Sequence, residues 1–349
     1  LKVFLFIVTL WLVADASLVL STRTRELPLA ERFTIARESW DVSVNVFVEL
    51  TYDGLTGIGE ASPHDRWGES PESVVAQLEA ADIGSLTGPF DLEGLGALLP
   101  SGAARAALDI AMHDLAARRA GIGLSELLGL AGRTRPPTSV TVPISDPERM
   151  VERARSLADH PAIKLKVGFD GDVEVVRDIR SVYDGTIRID ANEGWDADAA
   201  IERLKELGAL DIELCEQPIP ADNYDDLARV TESSPIPVFA DEDACTAEDV
   251  ARLVGTVDGV NLKLRKTGGV REFVRAAAVA RAHNMKLMIG CDLESGVAVT
   301  AGAHVAALVD FADLDGPLLL ADDPYPGVTY ERGQMTLPDG PGLGVKESL

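Results

Sequence analysis

Two rhythms of apolar and polar positions divide this chain. From residue 17 to about 60 the alternation is single-step: Leu18 and Leu20, then Val42, Val44, Val46 and Val48, then a further run over 56–60. A period of two reads as strands with one face buried. Asp53-Gly54 between two of these runs is a strong two-residue hairpin signal. Apolar residues then recur at helical spacing over 72–81 and over 102–120, where Ala106, Ile110, Ala111 and Leu115 share a face. This first stretch is α+β.

From Thr138 the pattern becomes strand, helix, strand, helix. Short apolar runs occupy 138–144, 162–167, 186–192, 211–217, 238–242, 259–264, 286–293 and 308–315, with helical patterns such as 147–159 and 197–207 between them. Such alternation predicts parallel βα units. Eight strands in this span fit a βα barrel, with a doubly wound sheet as the structural alternative. The chain thus divides into an α+β domain at 17–133, a barrel at 134–317 and a Pro- and Gly-rich segment at 318–349 that returns to the first domain. Residues 1–16 stand apart. Lys2, an apolar run to Val13 and Ala14-Asp15-Ala16 have the pattern of a signal peptide, with a misassigned upstream start or a terminal strand as equal alternatives.

Three of the eight runs close on an acid: Asp190, Glu216 and Asp241, spaced by one strand plus one helix. The C-terminal ends of parallel strands converge on one face, and in a barrel that face carries the chemistry. Three carboxylates with no His or Cys among them suit a hard cation such as Mg²⁺. Lys164 and Lys166 lie one strand earlier and Lys263 one strand later. Counting puts the lysine pair on the second barrel strand and Lys263 on the sixth, diametrically opposite, with an amine on each flank of whatever the metal binds. Residues two apart on a strand face the same way, so Lys164 and Lys166 both point inward. Like charges side by side and burial near a cation are expected to depress an amine pKa, which suits a base near neutral pH.

Composition changes the picture at three points. A net charge of −25 argues against a nucleic-acid partner, which needs a basic face. The acids at Asp196, Asp198, Glu248 and Asp249 fall on helical faces, as a solvated surface or an adaptation to high salt. Lysine is scarce, eight against 24 arginines, and four of the eight are Lys164, Lys166, Lys263 and Lys266. Three cysteines make no disulfide framework; Cys215 and Cys291 read as small core residues, and His113 and His304 as structural. Arg265 and Lys266 read as solvated or paired.

Lys164-Leu-Lys166, Asp190-Ala-Asn192, Glu216-Gln-Pro218, Asp241-Glu242 and Asn261-Leu-Lys263, in this order, resemble the enolase superfamily in its muconate-lactonizing-enzyme subgroup, over roughly residues 18–345. The resemblance implies a modified TIM barrel, (β/α)7β, with an N-terminal α+β capping domain. It implies that Asp190, Glu216 and Asp241 bind one Mg²⁺ per subunit, with Asn192 and Glu242 beside them. Lys166 and Lys263 would be the acid/base pair, supported by Lys164, for removing a proton α to a carboxylate. Asp313-Leu-Asp315 resembles the Asp-x-Asp with which dipeptide epimerases hold an α-ammonium, and Cys291-Asp-Leu-Glu294-Ser295 their substrate-contacting turn. Substrate contacts are accordingly expected from Asp313, Asp315, Ser295, Glu294, Thr141 and Arg37. The loop 27–37 and the turn 63–69 should cover the mouth, with Arg37, Arg66 or Trp67 meeting a substrate side chain. The activity implied is epimerisation at the C-terminal Cα of a dipeptide by a cytoplasmic homo-oligomer with no stable membrane partner. The alternatives are o-succinylbenzoate synthase, which gives Asp313 and Asp315 no task, and a catalytically silent or exported binding protein.

Overall fold

The computed structural model describes residues 17–348. Strands β1 (Val19–Thr34), β2 (Ser39–Tyr52) and β3 (Leu55–Ala61) form an antiparallel sheet in chain order. Asp53 and Gly54 link β2 to β3 with φ of 51° and 76°, the left-handed pair that a two-residue hairpin needs. Val46, Val48 and Leu50 pack in one cluster with the helix Ala103–Ala120, while Phe47 on the other face meets Tyr325 at 4.8 Å between ring centroids. The sheet lies so close to that helix that a Cβ on Gly59 would stand 1.9 Å from the Ala107 carbonyl oxygen. Val42 and Val44 depart from the simple alternation and are each 37% exposed. β3 ends opposite Val46, so the start of β2 pairs with β1 alone, as a two-stranded ribbon.

That ribbon corrects one expectation. The stretch 27–37 is not a loop: β1 continues to Thr34, with its register shifting between Pro28 and Phe33. Only a tight turn follows, closed by the Ile35 N–H on the Glu38 carbonyl at 3.0 Å.

Eight parallel strands follow: β4 (Val140–Val142), β5 (Ala162–Lys166), β6 (Thr186–Asp190), β7 (Ile212–Glu216), β8 (Val238–Ala240), β9 (Gly259–Lys263), β10 (Lys286–Gly290) and β11 (Phe311–Asp313). They are hydrogen-bonded in that order, and a parallel bridge from Thr138 to Ala312 joins the first strand's approach to the last strand. Each strand lies inside an expected run but several stop short, because their final residues already turn out into loops at the mouth. Outward-facing Ile163, Leu165, Ile187, Ile189, Leu262 and Ile289 are fully buried beneath the surrounding helices. Full burial of such a side chain contributes roughly 1.5–3 kcal/mol. Inside, Leu214, Phe239 and Met288 with Phe311 plug the barrel, so the chemistry is confined to the open C-terminal end.

After Leu319 the chain returns to the first sheet, adding the hairpin β12 (Thr329–Glu331) and β13 (Gln334–Thr336). Asp114 ties these parts together: its carboxylate accepts the Ile58 N–H at 2.9 Å and the Leu343 N–H at 2.7 Å. Among the described residues no helix is long and apolar enough to cross a membrane. The signal-like pattern at 1–16 lies outside the described residues.

Candidate active site

The strand ends bring the lysines and acids into one buried cluster. Lys164 on β5 is 1% exposed, and its Nζ lies 2.7 Å from Asp313, 2.9 Å from Glu216 and 3.1 Å from Asp190. Lys166, two residues on and facing the same way, donates to Asp190 at 2.7 Å. Lys263 sits on β9, four strands from β5 and so across the barrel, 3.0 Å from Asp241 and 3.3 Å from Asp292. Lys266 follows one helical turn later; it is buried and its Nζ contacts the Asp241 carboxylate and carbonyl, Ala244 O at 3.2 Å and Asn261 O at 3.1 Å.

The electrostatics differ from the sequence expectation. Burial works against the charge on Lys164, but Asp190, Asp313 and Glu216 outweigh it and raise its pKa well above the ordinary value. Lys263 is raised likewise, burial being overcome by Asp241 and Asp292. At Lys164 and Lys263 the surrounding acids outweigh burial, and attraction wins. Reciprocally, burial would raise Asp190, yet Lys164 and Lys166 hold it well below the usual carboxylate range. Lys263 and Lys266 do the same for Asp241. Glu216 goes the other way, pushed up by burial and then by Asp190.

Whether these residues suit a hard cation can be judged from their donors. As the side chains stand, each carboxylate is turned onto a lysine, and among the described residues no three His, Cys, Asp or Glu groups surround a common point. The donor set nevertheless fits. Asp190, Glu216 and Asp241 are at most 1% exposed, stand at the ends of adjacent strands and offer only carboxylate oxygens. The buried Glu242 Oε2 and Asn192 Oδ1 make no hydrogen bond, while Glu216 Oε2 has the Lys164 ammonium 2.9 Å away. Buried oxygens left unsatisfied in this way are costly unless something supplies positive charge.

The other expected residues fall into two groups. Thr141, Arg37, Asn192, Glu242, Asp313 and Asp315 line one cavity of about 90 Å³ with Lys164, Lys166, Asp241 and Lys263. Asp313 is fully engaged, by Lys164 and by the Ser139 hydroxyl at 2.6 Å, whereas Asp315 is held by Thr141 alone, whose N–H it accepts at 2.6 Å and whose side chain it also meets. Burial and then Asp313 push the Asp315 pKa up. Arg37 is held by Asn192 O at 2.7 Å, Glu193 at 2.5 Å and Glu242 at 2.9 Å. Glu294 and Ser295 lie outside the cavity lining. The Ser295 hydroxyl donates to Glu60 at 2.7 Å and accepts the Val297 N–H, capping the helix Gly296–Val305, so this turn packs against the first sheet. Cys291 packs against the main hydrophobic cluster and also lies beyond β10 in the cavity wall, with Asp292 and Leu293.

Several residues were not anticipated. Asn261, two before Lys263 and therefore on its face, donates to Glu216 at 2.9 Å; the period-two rule held that signal. Gln217 accepts the Asp241 N–H at 2.8 Å and donates to Asp243 at 2.8 Å, from a backbone φ of 34°. Trp40 of β2 is a further unanticipated part of the cavity wall, beside Phe33, Pro63, His64 and Trp67 from the two segments expected to cover the mouth.

This constellation can be compared with known proteins. Residues 18–129 match the family model for the mandelate racemase / muconate lactonizing enzyme N-terminal domain, and residues 149–347 match the enolase C-terminal domain-like model. The chain belongs to the mandelate racemase / muconate lactonizing enzyme family. It is 39% identical over 327 residues to the L-Ala-D/L-Glu epimerase of Bacteroides thetaiotaomicron, covering 92% of this chain and 85% of that protein. With the L-Ala-D/L-Glu epimerase of Escherichia coli it shares 39% identity, covering 89% and 97%. The structure of the dipeptide epimerase from Cytophaga hutchinsonii, complexed with Mg and D-Ala-L-Val, superposes with a TM-score of 0.89 at 32% identity, covering 95% of this chain and 96% of that one.

Proposed function

We propose that this chain is a Mg²⁺-dependent dipeptide epimerase that inverts the Cα of the C-terminal residue. The observation that carries the proposal is the placement of Lys166 and Lys263 on opposite sides of one cavity, with Asp315 in its wall and, among the described residues, in no ion pair. Asp190, Glu216 and Asp241 would hold the cation, which when bound supplies positive charge to the substrate carboxylate as the α-proton leaves.

The remaining steps belong to the chain's own side chains. Lys166 Nζ takes the proton from one face of Cα and Lys263 Nζ delivers one to the other, with the roles exchanged in the reverse direction. Lys164 keeps Asp190, Glu216 and Asp313 compensated and in place. Asp315 has an oxygen to spare for the α-ammonium, and a cation there offsets the burial that disfavours its charge. Phe33, Trp40 and Trp67 give the cavity an apolar wall against the substrate. Dehydration of the o-succinylbenzoate type involves no ammonium and leaves Asp315 without a role.

A library of L,L-dipeptides incubated in D₂O with Mg²⁺ tests the proposal. At least one member should gain deuterium at the C-terminal Cα while its L,D diastereomer accumulates. Absence of both across the library contradicts the assignment.

A further inference from the structure

Asp292 and Arg265 are not explained by the mechanism above. Asp292 lies just beyond β10, in the cavity wall, with one carboxylate oxygen 3.3 Å from Lys263 Nζ and the other accepting Arg265 Nε at 2.8 Å. Arg265 is itself buried, 4% exposed, and reaches the capping part of the chain. Its guanidinium lies 5.2 Å over the Trp67 ring and 3.6 Å from Glu69 Oε2. The other oxygen of Glu69 accepts the Ala103 N–H at 2.7 Å, at the start of the helix Ala103–Ala120. A continuous path therefore runs from the turn at 63–69 through Arg265 and Asp292 to Lys263.

Lys166 has no equivalent. Among the described residues its only carboxylate within ion-pair distance is Asp190, and the Phe33 ring lies 6.0 Å away. Asp190 and Asp241 both belong to the proposed cation set, so neither remains devoted to a lysine. Asp292 is outside that set and stays with Lys263.

We propose that Asp292, buttressed by Arg265, is the positioning residue of Lys263, so that this lysine alone takes its place from the capping turn. The inference rests on the epimerase reading. A buried ion-pair chain is a weak source of stability, whereas an amine misplaced by about 1 Å can lose two powers of ten in rate. The two half-reactions should therefore respond differently to the loss of Asp292.

The test uses Asp292→Asn and, to avoid leaving Arg265 unpaired, the double variant Asp292→Asn with Arg265→Gln. Solvent deuterium incorporation is followed from each pure diastereomer of a dipeptide the wild type accepts, with Lys263→Ala identifying the isomer that faces Lys263. Exchange of that isomer should fall about tenfold or more in kcat, while the other stays within about twofold, and Asp292→Glu should restore part of the loss. A second readout needs no turnover. With only eight lysines in the chain, ¹³Cε-lysine spectra should show the Lys263 resonance moved in the double variant and the Lys166 resonance unmoved. If the wild type exchanges no dipeptide, the epimerase reading falls and the spectra still decide the positioning claim. Equal loss for both isomers, no loss for either, or an unmoved Lys263 resonance overturns it.

Discussion

Replacing Lys164 by Met removes one charge from the most enclosed part of the cluster while keeping most of the side chain's length. The three carboxylates within 3.1 Å of its Nζ then have far less compensation. Breaking a buried ion pair by deleting one partner costs about 3–5 kcal/mol, a large share of a typical stability of roughly 5–15 kcal/mol. The loss should be largest in EDTA. Added Mg²⁺ should return more stability to the variant than to the wild type, because the cation no longer competes with an amine for the same oxygens; occupancy at about 100 times Kd is worth about 2.7 kcal/mol. The pH dependence carries a second signature. In the wild type the depressed Asp190 contributes stability above its unfolded pKa and loses it as pH falls. In the variant the freed acids have raised folded pKa values, so the native state binds more protons than the unfolded chain and the deficit shrinks as pH falls toward about 5. Urea unfolding followed by circular dichroism, with EDTA or Mg²⁺ and at two pH values, measures all of this. A deficit below about 1 kcal/mol in EDTA, or one unchanged by both pH and Mg²⁺, would refute the reasoning.

His304 is buried between the Ser125 N–H and the Leu343 carbonyl, and burial lowers its pKa to about 4. The unfolded chain therefore binds the extra proton first, and between about pH 7.5 and 5 the wild type should lose about 2 kcal/mol that His304→Gln does not lose, as read by urea unfolding at both pH values. Gly59→Ala forces a Cβ to within 1.9 Å of the Ala107 carbonyl oxygen; thermal unfolding should show a loss of about 1–3 kcal/mol or more. Asp315→Asn should cut kcat/KM for dipeptides by roughly one to two powers of ten, since a charge-assisted hydrogen bond is worth roughly 1.5–3 kcal/mol. N-acetylated dipeptides should be poor substrates of the wild type in the same assay.

The parts of this molecule that were legible in the sequence are those set by period and position. Asp190, Glu216 and Lys263 end their strands and Asp241 follows β8 directly, so counting βα units was enough to assemble them. Asp292 was less visible because β10 stops at Gly290, and beyond a strand's end the period-two rule no longer says where a side chain points. The helix-capping role of Ser295 had a local signal, a serine ahead of an apolar helical run, but its partner Glu60 lies more than two hundred positions away. The raised pKa of Lys164 escaped the sequence for a related reason. Two adjacent lysines are visible in the sequence, whereas the acids around Lys164 come from β6, β7 and β11, and only the closed barrel adds their fields.

The most direct test of the central claim is deuterium exchange at Cα by Lys166→Ala and Lys263→Ala, each given the two pure diastereomers of one accepted dipeptide in D₂O with Mg²⁺. Neither variant should epimerise, and each should exchange one diastereomer only, a different one for each variant. If either variant exchanges both diastereomers at the wild-type rate, or epimerisation survives in both, these two lysines are not the bases.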